Sequence, residues 1–221
     1  MNNMLRVEFF FDKRKDLENI WDKSNRKPCY GNFQIQDSLK KICGDKKFED
    51  CAPDLEIFLK RIYSSKYIDV FREAMQKLWN NIEEEFFSRM DNLIGKKYTK
   101  KVKAYITSIG ICPYNPREPS FMVSLLYPLQ RAIGTCGHEI MHLYFHEFYW
   151  DDVERKIGKK KTGNLKEALT VLLNIEFKDL LLTSDYGYEE HNKLRKFISE
   201  TWKREKNFEQ LIKLCVEYLK Q

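Results

Sequence analysis

Apolar positions recur along the chain with two periods, and the switches between them set the expected order of elements. Residues 4–12 partly alternate and are rich in β-formers such as Val7, Phe9 and Phe10, which predicts a strand. Leu17, Ile20 and Trp21 then mark a short helix. Residues 24–33 carry the Ser, Asn, Pro and Gly of a loop. A helix is expected over 35–43, stopped by Gly44, and Pro53-Asp54 opens another that carries Leu55, Leu59 and Ile62. From 66 to 94, Phe71, Met75, Trp79, Phe86, Met90 and Leu93 recur at helical spacing, the pattern of a core-facing stripe.

After Gly95 the character changes. Residues 101–109 and 121–126 read as strands that could pair antiparallel, with a proline-rich loop over 111–120 between them. Helices are expected over 128–149 and 165–182, separated by a loop at 158–164. Two more, at 189–200 and 204–219, finish the chain. The nearest thing to a boundary is Gly95 to Lys97. It divides a mainly helical region at 1–95, with one strand, from a second region at 96–221. The expected class is α+β, mainly helical, with a small antiparallel sheet.

Composition narrows the function classes. At 221 residues and 43% hydrophobic, the chain can bury a sizeable core. No apolar run approaches the roughly 20 residues of a membrane span, so no membrane partner is expected. A charge at Arg6 interrupts the start of the chain, so no secretory leader is expected. The six cysteines include no Cys-x-x-Cys pair, and reduced thiols in the cytoplasm follow from that reading. The net charge of +6 sits in short lysine clusters near expected loops, not in a basic stripe with interleaved aromatics, so no nucleic-acid partner is expected.

The chemistry concentrates in Gly137-His138-Glu139-Ile140-Met141-His142, inside the helix expected at 128–149. Residues four apart share a helix face, so the two imidazoles can bind one zinc ion together. Glu139 points about 100° around the helix, beside these ligands, where its carboxylate can take a proton from a metal-bound water as that water attacks a carbonyl. A catalytic zinc commonly has three protein ligands, and the candidates for the third are His146, Asp151, Asp152, Glu154, Glu167, Glu176 and His191. Phe145 and Phe148 stand where a metzincin needs glycine and histidine. Glu167 is the best candidate: with Thr170 and Asn174 it forms a narrow polar stripe on an otherwise apolar helix. The alternative is a capping box, with Asn164 as cap and Glu167 closing it.

The histidine motif followed by a glutamate in a later helix resembles the gluzincin branch of the zincin metallopeptidases, over roughly residues 119–175. The resemblance implies a zincin-like domain within 96–221, zinc held by His138, His142 and Glu167, Glu139 as general base, and a peptide or protein substrate. It also implies an edge strand, matched here by Phe121–Leu126, against which substrate lies extended. The second family motif is not reproduced, since only Lys166-Glu167-Ala168-Leu169-Thr170 stands in its place. The family often supplies a further tyrosine or histidine to the oxyanion, and Tyr188 and His191 are the candidates. The rival expectation is a regulatory or interaction protein that keeps the zinc but does not hydrolyse peptides.

Overall fold

A computed structural model describes residues 6–27, 30 and 34–221. The chain opens with β1 (Val7–Phe10) and α1 (Lys13–Asn25). Asp12 caps α1 by accepting from the Lys15 backbone N–H at 3.1 Å. Residues 28, 29 and 31–33 of the expected loop lie outside the described residues, as do residues 4 and 5 of the expected first strand. Next come α2 (Asp37–Cys43) and α3 (Phe48–Tyr63), which begins before Pro53 and takes it into its interior. The long periodic stretch is two helices, α4 (Tyr67–Asn80) and α5 (Glu83–Ile94). Gly95 ends α5 in the left-handed region, at φ 73°, where a side chain would be strained.

The second half holds β2 (Val102–Thr107), β3 (Tyr114–Asn115), β4 (Ser120–Ser124) and α6 (Leu129–Phe148). After α7 (Trp150–Leu169) come a 3₁₀ turn at Thr170–Leu172 and the short helices α8 (Leu173–Glu176) and α9 (Lys178–Leu181). The chain ends with α10 (Asn192–Glu205) and α11 (Phe208–Lys220). Among the described residues, no helix is long and apolar enough to cross a membrane.

The sheet is mixed, in the order β1-β2-β4-β3, so an α+β architecture with a small sheet is what the chain adopts. The antiparallel pairing expected of the two longer strands is corrected: β2 and β4 run parallel, from Lys103 opposite Ser120 to Thr107 opposite Ser124. The turn that reverses the chain lies inside the proline-rich segment. There β3 pairs antiparallel with β4, Tyr114 opposite Phe121, and Asn115 Oδ1 accepts from the Arg117 and Glu118 backbone N–H groups. Residues 108–119 therefore form the crossover that a parallel pair requires.

The loop expected at 158–164 is also corrected. Gly158 takes φ 78° and kinks α7, but the helix resumes at once and runs to Leu169. Asn164 is thus interior to a helix, and the capping-box reading of Asn164 and Glu167 falls, because a cap requires a helix start.

Alternation along β2 explains the layers. Val102, Ala104 and Ile106 join a core with Phe9, Phe121 and Val123 of the sheet, α4, α5 and α6, and residues as far as Val216. Thr107 projects to the other face and meets α1, where a second core of Leu17, Ile20, Leu39, Leu55 and Leu59 lies. Between them Asp16 is fully buried. Its Oδ1 accepts from Thr107 Oγ1 at 2.7 Å and the Ser108 N–H at 2.9 Å. Its Oδ2 accepts from Ser108 Oγ at 2.7 Å and Tyr63 OH at 2.9 Å. Asn19 adds a bond from Nδ2 to the Ile111 carbonyl at 3.0 Å, so the end of β2 and the segment after it are tied to α1.

Candidate metal centre

Most of α6 is buried, including Ala132, Ile133, Cys136, Ile140, Met141, Leu143, Tyr144 and Phe145. Gly137 lets its neighbours close in: a Cβ there would sit 2.9 Å from Leu181 Cδ1 and 3.3 Å from Phe86. The remaining stripe, with Arg131, Gly134, Thr135 and His138, faces a cleft of about 430 Å³. One wall is Gly110–Cys112, the other is residues 183–188, and Glu139 opens into the same space.

His138 and His142 lie one turn apart with ring centroids separated by 4.3 Å. Glu167 reaches them from the second half of α7. Its Oε2 is 3.5 Å from His138 Nε2 and 3.3 Å from His142 Nε2, and the three donor atoms all lie within 4.8 Å of one another. Tetrahedral ligands about 2.05 Å from a zinc ion stand about 3.3–3.4 Å apart, so both measured spacings match that edge. The other oxygen, Oε1, is held by Lys166 Nζ at 2.6 Å, which leaves a single carboxylate oxygen facing the imidazoles. His142 is 1% exposed, and neither of its ring nitrogens makes a hydrogen bond. An orphaned buried polar group costs about 1–3 kcal/mol, so these nitrogens suit a ligand that takes a lone pair.

The electrostatics favour donors in the form a cation requires. Burial, then Lys166, holds His142 down at about 3, which keeps its imidazole neutral. Burial works against a charge on Glu167, but its contacts to the two imidazoles and the Lys166 ammonium outweigh it and hold the carboxyl far below its ordinary range. Burial likewise opposes a charge on His138, yet Asp185 lifts its pKa well above the usual value. A metal ion would displace that proton. Glu139 is 6% exposed with Oε2 unpartnered, and burial raises it to about 7, where a carboxyl exchanges protons readily at neutral pH.

Asp185 is the functional residue that sequence reasoning missed. Its Oδ2 lies 2.6 Å from His138 Nδ1, which orients the ring so that Nε2 faces Glu167. Asp185 is itself gripped. Thr170 Oγ1 donates to Oδ1 at 2.8 Å and Arg195 pairs with that oxygen at 3.0 Å. Asn174 takes both backbone groups of Asp185 at 2.7 Å. The polar stripe, which runs from α7 through the 3₁₀ turn into α8, therefore has two jobs: Glu167 faces the histidines, while Thr170 and Asn174 hold Asp185. Thr170 and Asn174, four apart among apolar residues, were the signal that some other segment must supply a polar partner.

The structure separates the remaining candidates. Tyr188 lines the cleft with His138 and Glu139, and burial together with Glu167, Glu139 and Asp185 keeps its phenol protonated. His191 is 3% exposed, is not among the cleft-lining residues, and packs edge-on against Tyr30 and Tyr188 at 5.0 and 5.7 Å. His146 stacks on Trp150 and meets Tyr114 OH at 2.7 Å, away from the other donors. Glu154 accepts from Trp150, and Glu176 from Trp202 and Lys206. The expected edge strand is corrected as well: β4 is interior, flanked by β2 and β3, and its Met122 N–H is taken by the Pro113 carbonyl at 2.8 Å. The short β3 hides in the proline-rich segment, which is why β4 reads as an edge. No protein-family model, curated protein or solved structure matches the chain.

Proposed function

We propose that this chain is a zinc-dependent metallopeptidase with a zincin-like site, in which His138, His142 and Glu167 hold the metal. The observation that carries the reading is the near-tetrahedral spacing of His138 Nε2 and His142 Nε2 from Glu167 Oε2, together with a buried His142 ring whose nitrogens make no hydrogen bond among the described residues. Zinc bound there supplies Lewis acidity to a water molecule and to the substrate carbonyl. Glu139 takes the proton of the attacking water and returns it to the leaving amine. Tyr188, protonated and on the cleft wall, donates to the developing oxyanion. Asp185 fixes the His138 ring, and Lys166 restricts Glu167 to one ligating oxygen.

The test is a comparison of the wild type with Glu139→Gln. Metal analysis should give about one zinc per chain in both. Peptide hydrolysis should fall by roughly 10²–10⁴ in the variant, the usual contribution of a general base. Undiminished hydrolysis in Glu139→Gln would overturn the mechanism. A wild type that holds zinc but cleaves nothing in a broad peptide library would make the protein a zinc-binding interaction module instead.

A further inference from the structure

We infer that the cleft selects substrates bearing a carboxylate about three residues from the bond that is cut, and that Arg131 recognises it. The inference rests on the hydrolytic reading for the position of the scissile bond.

The charged residues that line the cleft are Arg131, His138, Glu139 and Asp185. The last three are committed to the metal end: Asp185 is tied to His138, Thr170 and Arg195, and Glu139 is buried beside the histidines. Arg131 forms no ion pair among the described residues, although the protein carries 33 acidic side chains and pairs many of its surface cations. Its guanidinium lies 3.9 Å over the ring of Tyr127, another cleft residue. Tyr127 OH in turn donates to the Gly110 carbonyl of the cleft wall at 2.6 Å. The cation is thus carried on a fixed aromatic platform, with its planar donors available to a carboxylate.

Position sets the register. Arg131, Gly134, Thr135 and His138 form one stripe along α6, two turns long. Arg131 therefore stands about 10 Å from His138 along the axis, at 1.5 Å per residue. An extended peptide advances about 3.3 Å per residue, so the recognised group lies about three residues from the reacting carbonyl. An aspartate or glutamate side chain and a free C-terminal carboxylate offer the same chemistry there.

The experiment uses full-length, zinc-loaded protein and matched peptides with Glu, Gln or Lys scanned through single positions, each as free acid and as C-terminal amide. Cleavage is measured with the wild type, Arg131→Gln and Arg131→Glu. Binding of the same peptides to Glu139→Gln, with and without Arg131→Glu, is measured by fluorescence anisotropy. The Glu peptide should beat its Gln twin by roughly three- to tenfold in KM with kcat unchanged, and 0.5 M salt should shrink the gap. Arg131→Gln should erase the preference, and Arg131→Glu should turn it towards Lys, a reversal that mere loss of packing cannot produce. A preference for the free acid over its amide assigns the group to a chain terminus, and a Glu-over-Gln preference that persists in the amides assigns it to a side chain. Charge-independent cleavage, with Glu and Gln twins and also free acid and amide within twofold, overturns the inference and leaves the peptidase standing. Arg131-dependent binding without cleavage supports the carboxylate site and overturns the hydrolytic reading. Absence of any peptide binding overturns the inference outright.

Discussion

Two buried polar clusters sit on opposite faces of the same sheet, and they are finished differently. Around Asp16 both carboxylate oxygens are filled, each accepting two hydrogen bonds from Thr107, Ser108 and Tyr63. Around His142 both ring nitrogens lack a hydrogen bond, and Glu139 Oε2 nearby lacks one too. A buried group that is satisfied from within stabilises the fold, whereas one left open is stable only if it is rigidly held and gains by meeting something else. The first cluster reads as architecture and the second as a place for a ligand.

The difference can be broken from either side. The largest effect is expected at the open cluster. His142→Phe should abolish stoichiometric zinc, and with it the stabilisation of about 4 kcal/mol that a metal at a thousand times its Kd confers. In chelator, by contrast, the variant should unfold within about 1 kcal/mol of the wild type, since an apolar ring replaces an unpaired polar one. A variant that loses several kcal/mol in chelator would show that His142 is structural. The satisfied cluster should behave in the opposite way. Asp16→Ala is expected to lower stability by about 3 kcal/mol in urea unfolding, because it strands buried donors, while zinc stoichiometry in the folded fraction stays at about one. The smallest of the three effects falls on the support of His138: Asp185→Asn should weaken zinc roughly 10–100-fold in a chelator competition. Affinity within twofold of wild type would mean that Thr170, Asn174 and Arg195 hold Asp185 for the segment's sake alone.

Much of the open cluster was legible in the chain because it is local. His138, Glu139 and His142 lie within two turns of one helix, and helical spacing alone puts them together. Glu167 was legible as a carboxylate that an apolar helix must justify, although its rival role as a cap fell only when the kink at Gly158 put Asn164 inside α7. Asp185 was not legible, since it lies in an irregular segment and acts through contacts to four residues elsewhere in the chain, His138, Thr170, Asn174 and Arg195. His191 misled for the complementary reason: a histidine near a tyrosine in sequence says nothing about which side of the chain faces the cleft. The sheet followed the same rule. The strands were visible as apolar runs, but their parallel pairing depends on where a two-residue strand, Tyr114–Asn115, turns the chain back between prolines.

Asp185 belongs to the segment that forms one wall of the cleft, and the same side chain steers His138. On the proposed function, whatever a bound peptide does to that wall would be felt at the metal. Linkage makes the relation reciprocal: if peptide binding presses Asp185 more firmly onto His138, peptide raises zinc affinity, and zinc raises peptide affinity by the same factor. Under that proposal, the hold on zinc would be a quantity the substrate can set.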